Sequence, residues 1–153
     1  MSAIVTAVLP ELCFAWPAPA IEGDTEQMSR ILVIDDEAEV RSVFRDALEP
    51  LGHEIIEAGD GDEGLRLAGS VAPDLVITDI LMPGKEGLEC IQEMRRLNPK
   101  LRVIAMSGGI TRGKVDVLKL ARHLGAQRTL GKPFDLDEML AAVEAELKAR
   151  SEE

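Results

Sequence analysis

The chain reads as an α/β protein, a parallel sheet covered by helices on both faces. Three observations predict this. From Met28 onward, short apolar runs alternate with stretches whose apolar residues recur at helical spacing, five times over. The first, third and fourth runs are nearly continuous in apolar residues, as strands buried on both faces are. Each run also ends on polar or turn-forming residues, which marks where a strand gives way to a loop. Crossovers between parallel strands are right-handed almost without exception, which restricts how the units can be wound.

Ile31 to Ile34 is the first strand, ending at Asp35, Asp36 and Glu37. Val40, Val43, Phe44, Leu48 and Leu51 then recur at helical spacing, with Pro50 and Gly52 closing the helix. Glu54 to Ala58 is the second strand, and Gly61 to Val71 a helix with Leu65, Ala68 and Val71 on one side. Leu75 to Ile77 is a third apolar run that stops at Thr78 and Asp79, before the turn chemistry of Met82, Pro83 and Gly84. Leu88, Ile91 and Met94 begin a helix that ends before Pro99. Leu101 to Met106 is the fourth strand, ending at Ser107, Gly108 and Gly109. Val115 to Leu124 is a helix closed by Gly125. Arg128 to Leu130 is the fifth strand, followed by a turn at Gly131, Lys132 and Pro133. Asp135 caps the last helix, with Glu138 three residues on. Its apolar face is Leu136, Met139, Leu140, Val143 and Leu147.

With 153 residues the chain is long enough for one ordinary domain with a real core. Hydrophobic residues make up 46% and charged residues 29%, the balance of a globular rather than a disordered protein. The formal net charge of −11 argues against direct binding to nucleic acid or to an anionic membrane surface, both of which want basic partners. Cys13 and Cys90 are far apart and lack metal-ligand spacing, which fits a reduced, cytoplasmic setting and makes Cys90 apolar filler. Residues 1–27 differ from the rest. They contain no Lys or Arg, carry Pro10, Pro17 and Pro19, and hold the single Trp, Trp16. No apolar run there spans a membrane, and the basic start of a secretory signal is missing. The expected division is a flexible extension over 1–27, one domain over 28–150 and a charged tail over 151–153.

The polar residues that end strands carry the chemistry. Strand one delivers Asp35 and Asp36, strand three Asp79, strand four Ser107 and strand five Lys132. All lie at carboxyl ends, the edge where ligands bind in open α/β sheets. Three clustered carboxylates repel one another unless a cation intervenes. Hard oxygen ligands at an open rim suit Mg²⁺, which keeps several waters and shares its shell with a phosphate. A lysine and a hydroxyl opposite can hold phosphoryl oxygens. This is the equipment for forming an aspartyl phosphate. An aspartate after a strand is also a common cap or turn former, so Asp35 or Asp36 alone would mean little. The combination at four strand ends is what carries the reading.

The stretches I-L-V-I-D-D-E, D-L-V-I-T-D-I-L-M-P-G, V-I-A-M-S-G and L-G-K-P-F resemble the receiver domain of two-component response regulators, over Ser29 to about Ala149. The resemblance implies a flavodoxin-like doubly wound sheet of five parallel strands in the order 2-1-3-4-5. It implies that Asp79 is the phosphoacceptor and that Asp35, Asp36 and Asp79 hold Mg²⁺ with the backbone carbonyl of Leu81. Ser107 matches the switch hydroxyl and Lys132 the phosphate-holding lysine. The implied phosphoryl donor is a histidine kinase or a histidine phosphotransfer protein. Output is expected through the face made by the fourth helix, fifth strand and fifth helix, toward a downstream protein or in a phosphorylation-dependent dimer. With nothing after the fifth helix, the expectation is a stand-alone receiver. The chain departs from the pattern at Thr129, where the family usually has an aromatic, and at Glu86, where Asp is frequent.

Other classes fit less well. A haloacid-dehalogenase-like phosphatase needs a second Asp two residues after the nucleophile, and Leu81 stands there. A flavodoxin must cradle a phosphate in its first loop, which Asp35, Asp36 and Glu37 would repel. The remaining alternative is a pseudo-receiver that signals without phosphorylation, which the intact set of site residues disfavours.

Overall fold

The computed structural model describes residues 28–80, 87–108, 111–112 and 115–152. The expected division at residues 1–27 and the expected ligand Leu81 therefore lie outside the described residues. The elements follow the predicted alternation: β1 (Arg30–Ile34), α1 (Ala38–Leu48), β2 (Glu54–Ala58), α2 (Gly61–Val71), β3 (Leu75–Asp79), α3 (Gly87–Leu97), β4 (Arg102–Ser107), α4 (Val117–Leu124), β5 (Arg128–Gly131) and α5 (Leu136–Ser151). The five strands form one parallel sheet in the order β2-β1-β3-β4-β5, the flavodoxin-like arrangement.

Successive strand residues point to opposite faces, and the two cores divide accordingly. Ile31 and Val33 of β1, Leu75 and Ile77 of β3, and Ile104 and Met106 of β4 face Phe44 and Leu48 of α1 and Met139 and Val143 of α5. Leu32, Ile34, Val76, Val103 and Ala105 face the other way, onto Cys90, Ile91 and Met94 of α3 and Ala121 of α4. Phe44 and Phe134 meet at 5.7 Å between ring centroids, tying α1 to the loop before α5. Cys90 is buried, its Sγ donating to the Gly61 carbonyl at 3.3 Å, so it packs as filler between α3 and α2.

Local differences from the sequence reading have physical causes. Leu51 falls in a 3₁₀ turn (Glu49–Leu51) after α1, where the altered twist takes it off the buried stripe, and it is exposed along with Val43. α4 begins at Val117 rather than Val115, because Val115 and Asp116 pair antiparallel with Thr111 and Arg112 in a short ribbon. Leu136, in the first turn of α5, is exposed; the buried stripe runs Met139, Ala142, Val143 and Glu146. The predicted helix ends hold. Gly125 (φ 128°) follows α4 in a conformation that favours glycine. The Asp135 carboxylate accepts the Glu138 N–H at 2.7 Å.

Candidate functional site

The carboxyl edge of the sheet collects the predicted residues. Parallel pairing aligns the strands so that β1 ends beside β3 and β3 beside β4, which sets the residues after them side by side. Asp35, at the end of β1, is fully buried, and each of its polar groups has a partner. Its N–H donates to the Ala58 carbonyl at 3.1 Å. Its carbonyl accepts from Arg41 Nη1 at 2.7 Å. Oδ1 accepts the Glu37 N–H at 2.9 Å, and Oδ2 accepts from Lys132 Nζ at 2.9 Å. Asp36, next along the chain, is exposed. Asp79 ends the central strand and is buried, with Lys132 Nζ 3.2 Å from its Oδ2.

Lys132 follows β5 and reaches across two strand ends to bridge Asp35 and Asp79. Glu37 Oε1 lies 3.7 Å from the same ammonium. Burial alone pulls the Lys132 pKa down. The hydrogen bond to Asp35 and the charges of Asp79 and Asp35 outweigh it, and the pKa stands above that of an ordinary lysine. The ammonium therefore stays charged at neutral pH. Ser107 ends β4 and is buried, and its carbonyl accepts the Lys132 N–H at 2.9 Å, so the last residue of β4 fixes the backbone of the lysine.

Asp35, Asp36 and Asp79 each place one carboxylate oxygen within 4.8 Å of the others. That donor set fits a hard divalent cation: charged oxygens, few in number, with one of the three acids exposed at the rim. The structure thus brings together Asp35, Asp36, Asp79 and Lys132, with Ser107 joined to Lys132 through the backbone. Leu81 is outside the described residues.

Two features of the site escaped the sequence reading. Gly87 opens α3 directly against the end of β3. Its N–H donates to the Ile80 carbonyl at 3.1 Å, and a Cβ at this position would lie 2.1 Å from the Asp79 carbonyl oxygen. The helix can begin this close to the acidic edge only without a side chain there. The second feature is the grip of Arg41 on the Asp35 carbonyl. A basic residue one turn into the first helix was the visible signal, but its spacing does not say which backbone group it reaches.

The comparisons with known proteins agree with this geometry. The sequence profile of the response regulator receiver domain matches residues 31–144. Sporulation initiation phosphotransferase F of Bacillus subtilis is 31% identical over 122 residues, covering 80% of this chain and 96% of that protein. The DNA-binding transcriptional regulator NtrC of Azospirillum brasilense is 38% identical over 121 residues, 79% of this chain. There the match spans only 24% of the relative's length. Among solved structures, the response regulator protein TrrA of Thermotoga maritima, in complex with Mg²⁺-BeF, superposes with a TM-score of 0.67. It is 34% identical and covers 78% of this chain and 99% of that one. Profile, relatives and sheet order lead to one assignment: the chain belongs to the response regulator receiver domain family of two-component systems.

Proposed function

We propose that the chain acts as a response regulator receiver whose Asp79 accepts a phosphoryl group from a histidine kinase or histidine phosphotransfer protein in the cytoplasm. The observation that carries this is the Lys132 bridge: one ammonium within hydrogen-bond distance of both Asp35 and Asp79, at the end of the central strand. In the transfer, a carboxylate oxygen of Asp79 forms a bond to phosphorus as the bond to the donor's imidazole nitrogen breaks. The electron pair of that bond stays on the nitrogen, and because the other ring nitrogen of the donor carries a proton, the imidazole leaves as the neutral ring. Lys132 holds a phosphoryl oxygen, anchored on its other side by Asp35, and the Ser107 hydroxyl holds a second. Asp35, Asp36 and Asp79 would hold Mg²⁺, which would supply neutralisation of the charge on the phosphoryl oxygens.

Output follows from connectivity. A change at Ser107 passes to Lys132 through their backbone hydrogen bond, and so to the end of β5 and the loop before α5. The face formed by α4, β5 and α5 is the proposed docking surface for a downstream protein or a second phosphorylated copy, reached by a shift between two states. Residues 28–150 would act as the domain, with 1–27 outside it.

The test is incubation with acetyl phosphate, with and without Mg²⁺, followed by intact-mass measurement. Wild type should gain one phosphoryl group only with Mg²⁺, and Asp79→Asn should gain none while keeping its fold by circular dichroism. A wild type that stays unmodified under all conditions would instead make the chain a pseudo-receiver.

A further inference from the structure

The acidic loop is held from behind by a guanidinium that contacts neither the metal-ligand carboxylates nor the phosphoacceptor. Arg41, on α1, donates through Nη1 to the Asp35 carbonyl at 2.7 Å and through Nε to Glu57 Oε1 on β2 at 2.9 Å. Arg45, one turn further along α1, pairs with the other oxygen of the same carboxylate, Glu57 Oε2. Arg41 and Glu57 are both about four-fifths buried, with side-chain exposures of 19% and 21%. The two donors of Arg41 thus span two elements, and Glu57 locks the guanidinium in place.

The carbonyl that Arg41 grips belongs to the peptide joining Asp35 to Asp36. A peptide unit is planar, so fixing its oxygen fixes the plane and the direction in which the next Cα leaves it. Asp35 is buried and held through its own side chain. Asp36 is exposed, and its carboxylate is aimed by the peptide that carries it. We propose that Arg41 is a positioning residue for Asp36, and that the Arg41–Glu57 pair sets how tightly the acidic edge binds Mg²⁺. This rests on the reading of Asp35, Asp36 and Asp79 as the metal site.

Groups that orient metal ligands are worth roughly 10- to 100-fold in affinity when removed. The clean probe is Arg41→Lys. It keeps the positive charge, so the long-range field at the site is unchanged, but a single ammonium on a flexible stem cannot reproduce the rigid fork. Mg²⁺ would be titrated into ¹⁵N-labelled unphosphorylated protein and followed by backbone amide shifts, with melting temperatures recorded without metal. Arg41→Lys is expected to weaken Mg²⁺ binding about tenfold. Glu57→Gln, which leaves Arg41 in place but loosens its anchor, should weaken it by less, and it carries the test if the lysine variant does not fold. In an Asp36→Asn background, Arg41→Lys should have no further effect on affinity, because residues that act through one another are not additive. Wild-type affinity in both Arg41→Lys and Glu57→Gln, or full additivity with Asp36→Asn, overturns the role of Arg41. A wild type with no Mg²⁺-dependent shifts overturns the metal reading itself, so the two failures are told apart.

Discussion

At the carboxyl edge of the sheet, Asp35 and Asp79 share one ammonium, that of Lys132, and the exposed Asp36 places a carboxylate oxygen within 4.8 Å of theirs. At the amino edge, where β4 and β5 begin, one carboxylate lies between two guanidinium groups. Glu146 of α5 is buried, with Oε1 3.2 Å from Arg102 Nη1 and Oε2 3.0 Å from Arg128 Nε. The two clusters use the same residue types on opposite ends of the same strands, yet their arithmetic is reversed. The amino-edge cluster is closed: each carboxylate oxygen has a cation, and it welds α5 to the two strands beneath it. The carboxyl edge is left with more negative charge than its described partners neutralise, a local conflict that stable folds avoid except where a site needs it. One cluster holds the protein together. The other carries the charge imbalance that the proposed cation would offset.

The largest effect should come from crowding the acidic edge. In Gly87→Ala the new Cβ would meet the Asp79 carbonyl oxygen at 2.1 Å and the Ile80 Cα at 2.6 Å, both backbone atoms that cannot swing aside. Either α3 or the end of β3 must shift, at a cost of at least about 3 kcal/mol, the upper part of the overpacking range. The Asp79 carboxylate, the proposed acceptor, would move with its backbone, so phosphorylation by acetyl phosphate should fall together with the urea midpoint. A variant that keeps both would show that the start of α3 does not constrain Asp79.

Breaking the opposite cluster should separate stability from chemistry. Glu146→Gln keeps the side chain's size but removes the charge, leaving Arg102, only 16% exposed, without its counter-ion. The expected loss is about 2 kcal/mol, below the value for a wholly buried pair because Arg128 is 44% exposed and water compensates it. The urea midpoint should drop while the rate of phosphorylation, measured where both proteins are folded, stays at the wild-type value. A matching fall in that rate would mean the two edges are coupled through β4 and β5, contrary to the division of labour drawn here.

How far each edge could be read in the sequence follows from the range of its contacts. The acidic edge was legible because strand ends are local events. Asp35, Asp79, Ser107 and Lys132 each stand at or just after the end of a strand, and parallel pairing brings all such positions to one side. The amino-edge cluster was not, since Arg102 and Glu146 are 44 residues apart and meet only through the register of β4 and the rotation of α5. Helical spacing even misplaced part of that helix's apolar face. Leu136 was expected inside and is exposed, while the charged Glu146 takes a buried position on the stripe because two arginines receive it. The grip of Arg41 on a backbone carbonyl and the contact at Gly87 share that reason: both depend on how one element lies on another.

The smallest effect should also be the one that distinguishes the edges by sign. Removing a carboxylate from the amino edge destabilises the protein. Removing one from the carboxyl edge should do the reverse when no metal is present, because the repulsion among Asp35, Asp36 and Asp79 is relieved. Asp36→Asn is the suitable change, since Asp36 is the exposed member of the three and its loss leaves no buried group unpaired. Exposed charges act through water, so the gain should be modest, about 0.5 kcal/mol. Adding Mg²⁺ should then invert the order. A ligand at free concentration c that binds the folded state stabilises it by RT ln(1 + c/Kd), and wild type, with its full ligand set and lower Kd, gains more than the variant. Melting curves in EDTA and in excess Mg²⁺ would therefore cross: Asp36→Asn higher without metal, wild type higher with it. Curves that keep the same order in both conditions would mean that the acidic edge is not held in tension by its own charge.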